Sequence, residues 1–171
     1  RRDPVQAPIA EPIIPFALSD ATAAEERGAS RMVRIDFGAD AGPVRTILVI
    51  KLDHFGDFII AQPALRDLRA AFPEARIRLV CGSWNASGAR ATGLVDEVRT
   101  FDYFPERSAG WNGRPVDDLA VFDAAVAGAF DCAIDLRMDE DTRHLLARVE
   151  ARLRCGVGSR TRFPLLDIAL P

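Results

Sequence analysis

Ile47, Leu48, Val49 and Ile50 form an apolar run with no polar alternation, the pattern of a strand covered on both faces. Lys51 to Asp57 (KLDHFGD) then interrupts the run with two carboxylates, an imidazole and a glycine. Beyond this turn, Ala61, Ala64, Leu65, Leu68, Ala71 and Phe72 recur at the spacing of one helix face. Arg66, Asp67 and Arg69 take the other, and Pro73 closes the segment. A doubly buried strand that feeds a helix through a short polar turn is the opening unit of a parallel α/β sheet, because parallel strands need a crossover between them. Pro63 falls in the second turn of a helix beginning at Asp57 and removes a backbone hydrogen bond there, so a kink is expected.

The same rhythm repeats downstream. Arg76 to Cys81 reads as a strand, Trp84 to Ala91 as a short helix and Glu97 to Phe101 as a third strand. Asp102 to Pro115 is an aromatic-rich loop holding Tyr103, Phe104 and Trp111. Val116 to Ala129 reads as a helix, Cys132 to Leu136 as a strand, Asp139 to Arg152 as a charged helix and Arg154 to Val157 as a fifth strand. Leu165 to Leu170 is a further strand-like run. Alternation of this kind predicts a Rossmann-like α/β domain over residues 45–171, with a parallel sheet and helices on both faces. Residues 1–44 stand apart: Pro4, Pro8, Pro12 and Pro15 give an extended lead-in, followed by a short helix over Asp20 to Arg27 and an edge strand over Val33 to Phe37. In parallel sheets ligands collect at the carboxyl ends of the strands. The turns at 52–57, 82–85 and 137–141 therefore share one rim.

Composition excludes several classes. A formal net charge of -3 argues against a nucleic-acid binder, which needs a basic excess or stripe. Cys81, Cys132 and Cys155 are widely spaced, with only His54 and His144 as companions, so neither a disulfide framework nor a metal site is indicated. Buried free thiols in a reducing compartment fit better. No apolar run approaches the roughly 18 residues of a membrane-spanning helix, which leaves at most peripheral membrane contact. The chain opens without Met and stops within a strand-like run, so both ends read as cuts in a longer protein. The first turn lacks the glycines of a nicotinamide-binding domain and those of a P-loop, and Asp53 and Asp57 are too far apart for a D-x-D motif.

The polar turn carries the chemistry. Asp57 sits at a helix N-terminus, where a carboxylate is either a stabilising cap or a general base. Gly56 is expected to allow close backbone approach or a positive φ. Asp53 reads as a ligand contact or a turn cap, and His54 as a partner of Asp57, a substrate contact or an exposed residue. Lys51, ending a buried strand, is expected to pair with Asp53 or Asp57. Trp84 offers a ligand a flat apolar face or anchors the core, with Asn85 beside it. Arg137 holds a phosphate or pairs with Asp135, and Arg160 and Arg162 form a basic patch with Arg154.

The series Lys51-Leu52-Asp53-His54-Phe55-Gly56-Asp57, Pro63-Ala64-Leu65, Phe72-Pro73 and Gly82-Ser83-Trp84-Asn85 resembles the N-terminal half of the family 9 glycosyltransferases, the heptosyltransferases of lipopolysaccharide core synthesis. The resemblance continues more weakly through Asp131 to Arg137 and Arg154 to Gly158, and leaves out the first 44 residues. It implies a two-domain GT-B enzyme with the active site between two Rossmann-like domains, of which this chain is the acceptor-side one. It further implies inverting transfer of a sugar, a heptose in the first instance, from a nucleotide-activated donor such as ADP-heptose to a hydroxyl of a glycan or glycolipid acceptor. Asp57 matches the family's general base; Asp53, His54, Gly56, Trp84, Asn85 and Arg137 are the candidate substrate contacts. No metal or further cofactor is implied. The donor belongs mainly to a C-terminal domain that this chain lacks, so these 171 residues alone are expected to give no turnover. A cytoplasmic location follows, at most touching the inner face of the cytoplasmic membrane. The rival reading is a non-catalytic binding module of flavodoxin-like shape whose turn carboxylates only cap and solvate.

Overall fold

The computed structural model describes residues 42–104, 116 and 118–170. The expected short helix and edge strand of the N-terminal extension, and most of the aromatic loop, lie outside the described residues.

The apolar run of the first turn unit forms strand β1 (Thr46–Lys51), with Ile47, Leu48, Val49 and Ile50 all fully buried. Helix α1 (Phe55–Ala71) follows, then β2 (Arg76–Cys81), α2 (Ser83–Ala91), β3 (Glu97–Thr100), α3 (Ala120–Ala125) and β4 (Ala129–Asp135). A 3₁₀ helix over Glu140–Arg148 leads into β5 (Glu150–Val157), and β6 (Ile168–Leu170) closes the sheet. All neighbouring strands are parallel, in the order β3-β2-β1-β4-β5-β6. This is the doubly wound dinucleotide-type order, in which the chain reverses direction across the sheet between its first and fourth strands. The flavodoxin-type order of the rival reading is not observed.

Side-chain alternation along the buried strands divides the core into two layers. Ile47, Val49, Ile77 and Leu79 pack with Phe58, Leu65 and Leu68 of α1 and Ala86 and Ala89 of α2. On the opposite face Leu48, Ile50 and Val80 pack with Phe122 of α3 and with Leu145 and Leu146 of the 3₁₀ helix.

Several boundaries differ from the sequence reading. Helix α1 starts at Phe55, two residues early, and runs unbroken through Pro63. The helix expected over 116–129 shrinks to six residues, because Gly128 adopts a φ of 112° and turns the chain into β4 at Ala129. The helix expected over 139–152 ends at Arg148, and β5 begins four residues earlier than expected. Glu150, Arg152 and Arg154 alternate there with Ala151, Leu153 and Cys155, a period-two signal. Cys81, Cys132 and Cys155 are free and buried; burial pushes the Cys81 thiol up to about 11. Among the described residues no helix is long and apolar enough to cross a membrane.

Candidate active site at the carboxyl rim

The reversal between β1 and β4 opens a crevice at their carboxyl ends, and the polar turn fills it. Lys51 ends β1 buried, with Nζ 2.7 Å from Asp53 Oδ2 and 3.3 Å from the Leu136 carbonyl. Arg137, just past β4, donates from Nη1 to Asp53 Oδ1. The rest of its fork grips Asp141, at 2.5 Å from Nε and 2.9 Å from Nη2, and Asp139 lies 2.9 Å from the same Nη2. Burial opposes the Arg137 charge, but Asp141 and Asp53 outweigh it and hold the guanidinium protonated. Its face also stacks on Phe104, 4.8 Å from the ring centre.

Beneath this layer, Arg143 has no exposed surface and pairs with Asp135 at 2.7 Å. It also donates to the carbonyls of Asp135 and Arg137, at 3.0 and 2.7 Å. Gly156 on β5 makes room for it: a Cβ there would lie 2.7 Å from Arg143 Nη1. Burial pushes the Asp135 carboxyl up to about 6, against the pull of Arg143, the Arg137 N–H and the Thr142 hydroxyl. The guanidinium opposite Asp135 is thus Arg143; Arg137 gives Asp135 only its backbone N–H, at 3.1 Å.

The peptide between Asp53 and His54 is fixed from α2. Trp84 Nε1 and Asn85 Nδ2 both donate to the Asp53 carbonyl, at 3.0 and 2.9 Å. Asp102, at the end of β3, occupies the N-terminus of α2, accepting from Ser83 N at 2.6 Å and Ser83 Oγ at 2.9 Å. His54 caps α1 with its backbone alone, and Asp57 stands in the first turn with its side chain 51% exposed. Asp57 Oδ2 lies 3.7 Å from His54 Nδ1, outside hydrogen-bond reach. Among the described residues of this rim, Asp57 and Asp102 are held by no lysine or arginine, and Asp102 is taken up by Ser83 at the start of α2, which leaves Asp57 open.

The expected site residues divide. His54, Gly56, Asp57 and Trp84 face solvent, whereas Asp53, Asn85 and Arg137 are buried and hold the turn. Gly56 is helical and its φ is not positive, contrary to one of the two roles expected of it, and an added Cβ would meet no protein atom within 4 Å. Arg154 does not join a patch with Arg160 and Arg162; it donates to the carbonyls of Leu146 and Val149. Arg162 pairs with Glu140 beside an open depression of about 590 Å³ lined also by Met138, Asp139 and Asp141.

The fold of this sheet superposes on several solved glycosyltransferases. Across 74% of this chain and 36% of its own length, a family 9 glycosyl transferase from Veillonella parvula superposes with a TM-score of 0.59 at 22% identity. This chain shares the family 9 fold. An ADP-heptose LPS heptosyltransferase II from E. coli gives 0.52 at 21% identity, over 74% of this chain and 34% of that one. The E. coli heptosyltransferase WaaC, solved with ADP-2-deoxy-2-fluoro heptose, gives 0.58 at 20%, over 73% and 42%. The chain thus spans well under half the length of these proteins. No protein-family profile and no curated protein matches its sequence.

Arg143 and the Asp141 grip on Arg137 escape a sequence reading, because both sit in a charged stretch that looks solvent-facing. The signal for Arg143 was Gly156, a glycine inside a strand, which marks a close approach.

Proposed function

We propose that this chain is the acceptor-side half of a GT-B glycosyltransferase that moves a sugar from a nucleotide donor such as ADP-heptose to an acceptor hydroxyl with inversion. Asp57 is its general base. The observation that carries this reading is the isolation of Asp57. Asp53, Asp135, Asp139, Asp141 and Glu140 are each tied to a lysine or arginine. Asp102 caps α2, while Asp57 makes no capping hydrogen bond and stays open to solvent.

In the reaction the acceptor oxygen bonds to the anomeric carbon from one side. The bond from that carbon to the diphosphate oxygen breaks on the other, and the nucleoside diphosphate leaves with the electron pair. The acceptor proton passes to the Asp57 carboxylate and then to solvent. A base placed in this way contributes typically about 10² to 10⁴ in rate. Asp53 is assigned to holding the turn through Lys51 and Arg137, and Asn85 and Trp84 to holding its carbonyl. His54 stands ready to orient the acceptor or Asp57. Nucleotide binding and neutralisation of the departing diphosphate belong to a second domain, in line with the length that these neighbours have beyond the matched part. A nucleotide-sugar donor places the reaction in the cytoplasm, with a glycolipid acceptor at the membrane face.

Asp57→Asn in the two-domain enzyme is the test. Turnover should fall at least about a hundredfold with the melting temperature unchanged. A variant that loses stability but keeps its activity per folded molecule would assign Asp57 to the helix terminus instead.

A further inference from the structure

Cys132 and Cys155 are 23 positions apart in the sequence, and the sheet brings their sulfurs to 3.6 Å, one thiol donating to the other. Cys132 is on β4 and Cys155 on β5, both in the core layer that α1 shares. The base mechanism uses neither. The 3₁₀ helix covers these strands from the opposite face, where its Leu145 and Leu146 pack with Ala133 and Ala151. On the thiol face Leu153 stands opposite Cys132, and Ile134 and Ile168 stand opposite Cys155. These three side chains are only partly buried, and the thiols between them are 4 and 7% exposed.

The register decides what can join the two sulfurs. Cys132 pairs with Leu153 and Ile134 with Cys155, so the cysteines are one strand and two residues apart. A strand spacing of about 4.8 Å and a rise of about 3.3 Å per residue put their Cα atoms about 8 Å apart. A disulfide needs them within about 7 Å, so a direct bond requires a strand to move. A bridging atom does not: a tetrahedral or pyramidal centre with bonds of about 2.3 Å holds two sulfurs about 3.5 to 3.8 Å apart, which brackets the observed distance. A linear centre would need about 4.6 Å. A tetrahedral metal ion also needs further ligands, and the sequence has one other cysteine and two histidines. Cys81 ends β2, two strands over and four residues farther along, about 16 Å away. His54 lies in the β1 turn and His144 on the 3₁₀ helix of the other face. Among the described residues no group of three histidines, cysteines or carboxylates could hold a metal ion.

We propose that Cys132 and Cys155 form a dithiol site for a trivalent organic arsenical, a soft pyramidal centre that brings its own third substituent. Both S–H bonds break and both sulfurs bond to arsenic, while the oxide oxygen leaves arsenic with the two protons as water. Arsenic stays trivalent, so the step consumes no oxidant or reductant. The hydrogen bond with Cys132 and burial push the Cys155 thiol well above its ordinary range, so its proton stays in place until the oxide oxygen takes it. The second As–S bond closes within one protein molecule, which favours the pair over a single thiol by about a hundredfold or more. An aryl group on the arsenic lies against Ile134, Leu153 and Ile168 and covers the apolar surface they leave exposed.

The test treats the folded 171-residue chain with one equivalent of phenylarsine oxide. Intact mass should show a single adduct, the reagent less one water, that withstands excess monothiol and is released by ethanedithiol. When the adduct is unfolded in urea and alkylated with iodoacetamide, Cys81 alone should react. Cys132→Ala and Cys155→Ala should each weaken binding at least about a hundredfold, and Cys81→Ala should leave it unchanged. Diamide, a thiol oxidant, should leave Cys132 and Cys155 of the folded chain reduced. An absent adduct, its release by monothiol, its location on Cys81, or a disulfide between Cys132 and Cys155 would each overturn the proposal. Unchanged affinity in both alanine variants would do the same, and the alkylation pattern of the wild type decides the matter if those variants do not fold.

Discussion

Arg143 and Asp135 are both buried beneath the site, and the residues that touch solvent are attached to the strand ends they hold. Removing one partner of a buried pair leaves the other charge uncompensated, at about 3 to 5 kcal/mol. Arg143→Met should cost that much at pH 8 and less at pH 5. The sign follows from the Asp135 carboxyl, raised from 3.8 to about 6 by burial. A raised folded value contributes stability that is complete below the unfolded value and lost as pH rises through the folded one. Without Arg143 the carboxyl rises further and the loss extends to higher pH. Urea midpoints of the wild type and the variant at the two pH values measure the gap; equal gaps would mean that Asp135 is not the charge Arg143 serves. At this scale the place of Asp57 near the end of β1 was legible, since a polar break between a buried apolar run and an amphipathic helix falls at the strand end. The pairing of its neighbours was not, because ion pairs between residues 84 positions apart, such as Asp53 and Arg137, leave no local pattern.

The β1–β4 seam is clamped at both ends, and the two clamps serve different purposes. At the carboxyl end Asp53 and Arg137 shape the crevice. At the other, the Asp131 carboxylate accepts from Arg45 N, Thr46 N and Thr46 Oγ1 at 2.8 to 3.1 Å, and Thr46 Oγ1 accepts from Asp131 N. Burial would raise the Asp131 carboxyl, but these hydrogen bonds and the nearby Arg152 charge leave it below its ordinary value. A depressed folded value contributes stability that is present above the unfolded value and lost as pH falls through the folded one. Asp131→Asn should therefore cost about 1 to 2 kcal/mol at pH 7, discounted for partial exposure, and progressively less as pH falls below the ordinary carboxylate range. Thermal melts across that range check it, and a pH-independent cost would mean that the charge is irrelevant. Element order was readable because doubly buried strands and amphipathic helices differ in period. Boundaries failed where one signal hid another: the charged stretch after Asp139 looked helical to Arg152, yet it is helical only to Arg148, and Glu150, Arg152 and Arg154 alternate along β5.

At the level of the whole molecule, the sheet accounts for a binding face and not for a complete reaction. Its rim presents the exposed carboxylate of Asp57, while the lysine and arginines near the ends of β1 and β4 are paired with carboxylates of the same domain. A departing diphosphate is stabilised by preorganised positive charge. The solved glycosyltransferases of the same fold are more than twice as long as the part this chain matches. These 171 residues incubated with ADP-heptose and an acceptor glycan should release no ADP above the uncatalysed rate. Coupled detection of ADP measures that rate. Release of ADP by this chain alone would mean that a diphosphate-holding cation lies within it, and the division of labour between the two domains would have to be redrawn around that residue.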